Sequence, residues 1–284
     1  LFAGAVLNGT TFLSLYNQLN VFGRVSIAAL PAVGMTLVIL SGGIDLSVGS
    51  IVSLASVVSA MLLMERGRSA ASLAVLIPAA LAAGTAGAWC FRKLARGPGR
   101  PGAAAKAGGA VLGLALTAAS GIWILRQAPH GFPALAVLLL VPLVGAFLGA
   151  VSGMVVAGGR IQPFIVTLGM MSAAVGLAKT IAGKGGQIHP VYYETGYSAQ
   201  AALQGTAPRS FDLLAGKISL FGVPLFPVTA LFFLASVAVF HVLLTRFRFG
   251  RYVMAVGGNE ETARLSGIRV EGIKIRVYAV SGAL

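Results

Sequence analysis

Asp45 is the first of seven acidic residues in this 284-residue chain, and it stands in the run Ser41-Gly42-Gly43-Ile44-Asp45-Leu46-Ser47-Val48-Gly49-Ser50. Paired glycines are poor helix formers and permit backbone geometries closed to other residues, so the run predicts a break between two apolar helices. Asp45 is placed to cap the second helix by accepting N–H bonds from its first turn, where a negative charge suits the positive helix end. An ionisable group near a bilayer is costly and is a functional candidate by default, although a plain cap at the water interface would read the same way. Gly42, Gly43, Asp45 and Ser47 are the candidates here.

A second informative stretch runs from Thr245-Arg246-Phe247-Arg248-Phe249-Gly250-Arg251-Tyr252 to Gly257-Gly258-Asn259-Glu260-Glu261-Thr262-Ala263-Arg264-Leu265-Ser266-Gly267-Ile268. Asn259 suits an N-cap, Glu260 and Glu261 favour the positive first turn, and Gly267 is a natural stop. The pattern predicts a self-contained helix from about 260 to 266. So short a helix is unstable alone. It needs a surface to rest on, and both the rest of this chain and a partner remain open.

Other chemistry is absent by type and spacing. Gly183-Lys184-Gly185-Gly186 is glycine-rich, but Gly185 stands where a phosphate-binding loop needs Ser or Thr, and the glycine expected before Gly183 is missing. No nucleotide site is expected. Cys90 is the only cysteine, and His130, His189 and His241 lie far apart, so neither a disulfide framework nor a metal site is predicted. Convergent Ser/His/Asp sets and paired carboxylates are missing, which argues against an enzyme. Between Glu65 and Glu194 there is no acidic residue, which weighs against an ion-coupled carrier.

The elements that must position these residues follow from composition. Hydrophobic residues make up 57% of the chain and charged residues 10%, with a mean hydropathy of +0.90. Soluble domains carry about 25% charged residues. Most of this surface must therefore face lipid. On the rule of about 20 apolar residues per crossing, spans are predicted near 25–41, 46–64, 71–91, 108–126, 134–157, 162–182 and 223–244, with another beginning near 275. Residues 1–24 carry Asn8, Asn17, Gln18, Asn20 and Arg24 and read as an interfacial approach to the first span. Gly145, Gly149 and Gly153 recur every four residues, a face for close helix packing. Pro163 falls at a helix start, whereas Pro31, Pro78 and Pro142 fall inside spans.

The net charge of +14 is clustered between spans. One group is Arg92, Lys93, Arg96, Arg100 and Lys106, and the other is Arg246, Arg248, Arg251, Arg264, Arg269, Lys274 and Arg276. This is the pattern of cytoplasmic loops rather than of a nucleic-acid surface. Counting spans outward from both clusters places 183–222, 127–133 and 65–70 outside and 158–161 and the 41–45 break inside, and the two clusters agree in parity. Beginning at Leu1 and ending at Leu284 in apolar sequence, the chain is expected to be a fragment, and no basic signal-peptide region opens it.

Three motifs carry a resemblance. Ala32-Val33-Gly34-Met35-Thr36-Leu37-Val38-Ile39-Leu40 leading into Gly43-Ile44-Asp45-Leu46-Ser47-Val48-Gly49-Ser50 closely resembles the ribose/xylose-type permeases of bacterial ABC importers. Pro163-Phe164-Ile165-Val166-Thr167-Leu168-Gly169-Met170-Met171 does the same, as does Gly250-Arg251-Tyr252 with Gly257-Gly258-Asn259-Glu260 and Arg264-Leu265-Ser266-Gly267-Ile268. The match covers about 25–64 and 134–284. It implies an all-α, polytopic transmembrane bundle of about seven to eight spans, forming one permease domain over 1–284 with a cytoplasmic coupling loop at 246–274. It also implies a multi-pass dimer in the bacterial inner membrane, fed by a periplasmic solute-binding protein and driven by cytoplasmic ABC ATPases that bind the ATP. This chain itself would bind no cofactor.

On that resemblance, Gly257, Gly258, Asn259, Glu260, Glu261, Arg264, Leu265, Ser266 and Gly267 form the segment seated on the ATPase. Gly42, Gly43, Asp45 and Ser47 lie near the translocation path, for a polar solute such as ribose or xylose. Another small metabolite, such as a nucleoside or amino acid, is the alternative. The chain departs from the family at 66–132, which reads as an inserted helix pair, and the family has further helices before 25 and after 284.

Overall fold

The computed structural model describes residues 14–63, 115, 119, 134–182, 217–220 and 223–284. Helix α1, Leu15–Leu40, starts at Ser14, whose Oγ accepts the Asn17 N–H at 3.3 Å. Of the expected interfacial approach, the described part from Leu15 to Arg24 is helix. Its polar side chains are too few to interrupt a run whose hydropathy already suits a span from Asn17. At about 1.5 Å per residue, the 26 residues of α1 extend about 39 Å, more than a bilayer's hydrocarbon thickness of about 30 Å.

Helix α2, Val48–Leu63, is followed among the described residues by α3, Ala134–Gly159, and α4, Pro163–Ala182. Pro163 opens α4 as predicted, since its missing N–H costs nothing in a first turn. The predicted span at 71–91, that at 108–126 apart from residues 115 and 119, the 92–106 loop, Cys90, His130, His189 and the 183–186 glycine run lie outside the described residues.

The predicted span at 223–244 needs correction at its start. Val223–Pro227 is a strand, β2, paired antiparallel with β1, Lys217–Leu220, with an irregularity between Ile218 and Ser219. Pro224 and Pro227 explain the shift, because proline cannot donate within a helix interior. Helix α5, Val228–Arg246, follows directly. The hairpin sits at the start of α1, where Phe226 meets Phe22 edge-on at 5.5 Å and Thr229 Oγ1 donates to the Gly23 carbonyl at 3.4 Å. Three helices close the chain: α6, Arg248–Gly258, α7, Glu260–Leu265, and α8, Val270–Ala283.

Four of these helices (α1, α3, α4 and α5) are long and apolar enough to cross a membrane, and α2 is a shorter apolar helix. Large apolar side chains stay exposed along them, among them Leu135, Leu139, Ile165 and Val239. Hydroxyls within the helices turn back onto carbonyls one turn earlier, as Ser26 does on Phe22 at 2.7 Å, Thr36 on Ala32 at 2.8 Å and Thr180 on Gly176 at 2.9 Å. A lipid-facing helix must satisfy its polar groups in this internal way.

Packing is organised around α3, which separates two apolar clusters. One joins α2, α3 and α4 around Leu54, Val58, Leu62, Val144 and Ala174. The other joins α1, α3, α6, α7 and α8 around Leu37, Val38, Val253, Val277 and Tyr278. The glycine stripe of α3 faces α8: a Cβ on Gly145 would strike the Gly282 carbonyl, one on Gly149 the Tyr278 carbonyl, and one on Gly153 would lie 2.8 Å from Ile275 Cα. Small residues here bring two backbones into contact.

Candidate functional site

The break after α1 is built by its glycines. Gly42 has φ +80°, and its N–H donates to Ile39 O at 2.9 Å, while Gly43 N–H donates to Val38 O at 2.9 Å. These two bonds are the paired closures of a Schellman motif, with Ser41 as C-cap and Gly42 in the left-handed position that a side chain resists. Gly43 has a separate reason to be glycine. A Cβ there would lie 2.7 Å from the Tyr278 hydroxyl and 3.1 Å from Val38 Cγ1.

Asp45 is fully enclosed, 1% exposed, and so is not a cap resting at a water interface. Its role as the helix cap also needs correction. Oδ1 accepts from the Ser47 N–H at 2.9 Å and from Ser47 Oγ at 2.6 Å, two residues ahead. Ser47 occupies the N-cap position, since its carbonyl takes the first intrahelical bond, from Ile51 N–H at 2.9 Å, as well as the Ser50 hydroxyl at 2.6 Å. The carboxylate is one residue pair too early to reach the helical turn, so it fixes the residue that starts the helix. Thr167 of α4 lies against the same loop, its hydroxyl 3.2 Å from Phe164 O and 3.5 Å from Ile44 O.

The second stretch folds as two helices rather than one. Residues 260–266 were expected to be helical, and α7 spans Glu260–Leu265. Asn259 Oδ1 accepts the Thr262 N–H at 2.9 Å. At the other end Gly267, with φ +82°, donates to Arg264 O at 3.0 Å, and Ile268 N–H donates to Ala263 O at 3.1 Å, the same Schellman closure as at Gly42. Ser266 is the C-cap, and its hydroxyl donates to Thr262 O at 2.9 Å. The preceding helix α6 was not foreseen. Its signal was the spacing of Phe249, Val253 and Val256, of which both valines are buried in the second cluster.

Charge is ordered on α7. Glu260 Oε2 accepts from Lys274 Nζ at 2.6 Å, and its Oε1 lies 3.4 Å from Arg264, which in turn donates to Glu271 Oε1 at 2.6 Å. The Arg264 guanidinium is raised above its ordinary value, first by its hydrogen bond to Glu271. The Glu271 carboxyl is lowered, first by its own backbone N–H and then by Arg264. Arg160, at φ +50° in the turn between α3 and α4, borders the same cleft of about 270 Å³, together with Gln162 and Pro163. Glu261 has no ion pair among the described residues. It shares a face with Leu265, which is 85% exposed.

The two stretches, some 215 positions apart by the numbering, meet. A Cβ on Gly257 would strike the Leu40 carbonyl and lie 3.3 Å from the Ser41 carbonyl carbon, and one on Gly42 would lie 3.7 Å from Gly257 Cα. Gly258, by contrast, faces open space. Break and basic loop therefore lie at the same end of α1, the end away from the β-hairpin, as the charge-based orientation requires.

Known proteins bear on this arrangement. The ribose import permease protein of Escherichia coli strain K12 is 33% identical over 275 residues, covering 96% of this chain and 60% of the relative. The galactose/methyl galactoside import permease protein of Salmonella typhimurium is 27% identical over 284 residues, covering 99% of this chain and 64% of the relative. The fructose import permease protein of Rhizobium meliloti is 26% identical over 287 residues, covering 100% and 58%. The chain thus spans about three fifths of the length of these relatives. No solved structure matches it. A family model described as the branched-chain amino acid transport system / permease component matches residues 17–99 and 102–284. With nearly all of its length matched, and with long apolar helices arranged around a glycine-packed centre, the chain is a membrane protein that belongs to this family of transport permease components.

Proposed function

We propose that this chain forms the translocation path of an ABC importer for a monosaccharide, with ribose or xylose as the expected cargo, in the bacterial inner membrane. Its likeness to import permeases named for ribose, galactose and fructose supports that cargo class. So does the scarcity of buried charge: among the described residues, Asp45 is the one charged side chain in the buried set. A neutral, hydroxyl-rich solute suits such a path, with Gly42, Gly43, Asp45 and Ser47 beside it. The chain carries no catalysis of its own. Cytoplasmic ABC ATPases bind and hydrolyse ATP, a periplasmic binding protein delivers solute, and a second permease copy completes the dimer in the lipid bilayer.

The observation that carries this reading is Leu265. Leu265 is 85% exposed on a capped helix in a basic loop, placed where a docked partner would cover it. Glu261 beside it supplies a charged rim, while Ala263 on the opposite face anchors the helix to its own chain. Both surfaces that so short a helix could use are therefore in play. In membranes holding the chain and its ATPase, Leu265→Asp should cut ATPase co-purification by about 30-fold, the loss of an interface anchor worth about 2 kcal/mol. The variant's own melting temperature should stay unchanged. Undiminished co-purification would remove the basis for the docking role.

The burial of Asp45 favours a second reading, an ion-coupled carrier. A protonophore separates the two: uptake that collapses while cellular ATP is maintained would select the carrier.

A further inference from the structure

Helix α7 is six residues long and buries only Ala263, so apolar packing alone does not fix its orientation. Residues 266–269 connect it to α8, with Gly267 left-handed at φ +82°. Charge holds it instead, at both ends. Glu260 in the first turn of α7 reaches Lys274, and Arg264 in its last turn reaches Glu271, each at 2.6 Å. Two anchor points one helical turn apart on each partner fix a direction as well as a position. Lys274 is the more enclosed member, its side chain 18% exposed, so its ammonium depends on Glu260 more than a surface lysine would.

Beyond this clamp, α8 is stiffly seated. Tyr278 is 0% exposed, the glycines of α3 press on its backbone, and its phenol lies where a Gly43 side chain would stand. One helix therefore touches α7 at its start and the break after α1 near its middle. We propose that Glu260 and Lys274 are positioning residues whose ion pair locks α7 to α8, so that a displacement imposed on α7 reaches the 41–47 break through Tyr278. This rests on the importer reading, in which an ATPase supplies the displacement. Exposed ion pairs add little to stability. The clamp can thus be cut without unfolding the helices it joins.

The test reads transmission without needing the solute. In a Cys90→Ser background, Ile44→Cys places a thiol in the break at an exposed position. Its maleimide labelling rate is measured on the purified permease–ATPase complex, with and without ATP plus vanadate. With Glu260 and Lys274 intact, nucleotide should change that rate by about fivefold or more. Lys274→Glu should abolish the change while the ATPase still co-purifies, and the swap E260K/K274E should restore it. A normal response in Lys274→Glu, or a swap as silent as the single variant, would overturn the clamp. No nucleotide response with both residues intact would instead fell the importer reading, and the clamp with it.

Discussion

The break at 41–47 and the segment at 257–267 use the same local vocabulary and reach opposite environments. Each has paired glycines, an acidic residue two places after the second glycine, and a Schellman closure on a left-handed glycine. Around Asp45 these devices are enclosed, and the carboxylate is satisfied within its own loop by Ser47. Around Glu260 they stand open, and the carboxylate reaches across to another helix. Local sequence sets the turn. What surrounds the turn decides whether its charge can reach outward.

The glycine pairs give the most severe way to break the comparison. Gly257 presses on the Leu40 carbonyl, which as helix backbone cannot move aside, whereas Gly258 meets nothing within 4 Å. Gly257→Leu should cost about 3 kcal/mol or more by overpacking, seen as loss of detergent-stable protein. Gly258→Leu should leave the melting curve nearly unchanged. Equal effects would mean that the two segments do not touch. Next in size, Asp45→Ala strands the Ser47 N–H and hydroxyl in a buried site and should cost about 2 kcal/mol. Glu261→Ala, exposed and unpaired among the described residues, should stay within about 0.5 kcal/mol. A buried satisfied acid and an exposed one should separate cleanly in chemical or thermal denaturation.

Much of this was legible in the sequence. The spans at 134–157 and 162–182, the Asn259 cap, the Gly267 stop and the glycine stripe of α3 all lie close to where residue type places them. The hydroxyl-to-carbonyl bonds of α1 and α4 follow from the same rules. What escaped reading was relational. Nothing in Gly257 announces that Leu40 will lie against it, nor in Tyr278 that Gly43 will leave room for its hydroxyl, because both contacts join segments more than 200 residues apart. The Asp45 cap differs for a finer reason: an aspartate two places before the N-cap residue bonds that residue instead of the turn. The start of α1 was missed because scattered Asn and Gln lower hydropathy without stopping a helix, and the strand at 223–227 because apolar residues between prolines mimic a span.

The gentlest test concerns acid. Glu271 has its carboxyl lowered from the ordinary 4.5, chiefly by its own backbone N–H and secondarily by Arg264. A lowered folded-state value means that the charged form favours the clamped arrangement. That contribution is fully present above about 4.5 and is lost as pH falls through the lower folded value. The clamp should therefore be unchanged from neutral pH down to about 5 and loosen only in stronger acid. Protease cleavage in the 266–269 connection should show the same window, staying flat to about pH 5 and rising below 4.5. Glu271→Gln should reduce this rise, since the Arg264–Glu271 share of the clamp no longer titrates. Asp45, satisfied inside its own loop rather than across helices, lends nothing to the orientation of α7. A rise in cleavage undiminished in Glu271→Gln would show that the linkage is not made by Arg264 and Glu271, and that the two acidic turns differ less than their surroundings imply.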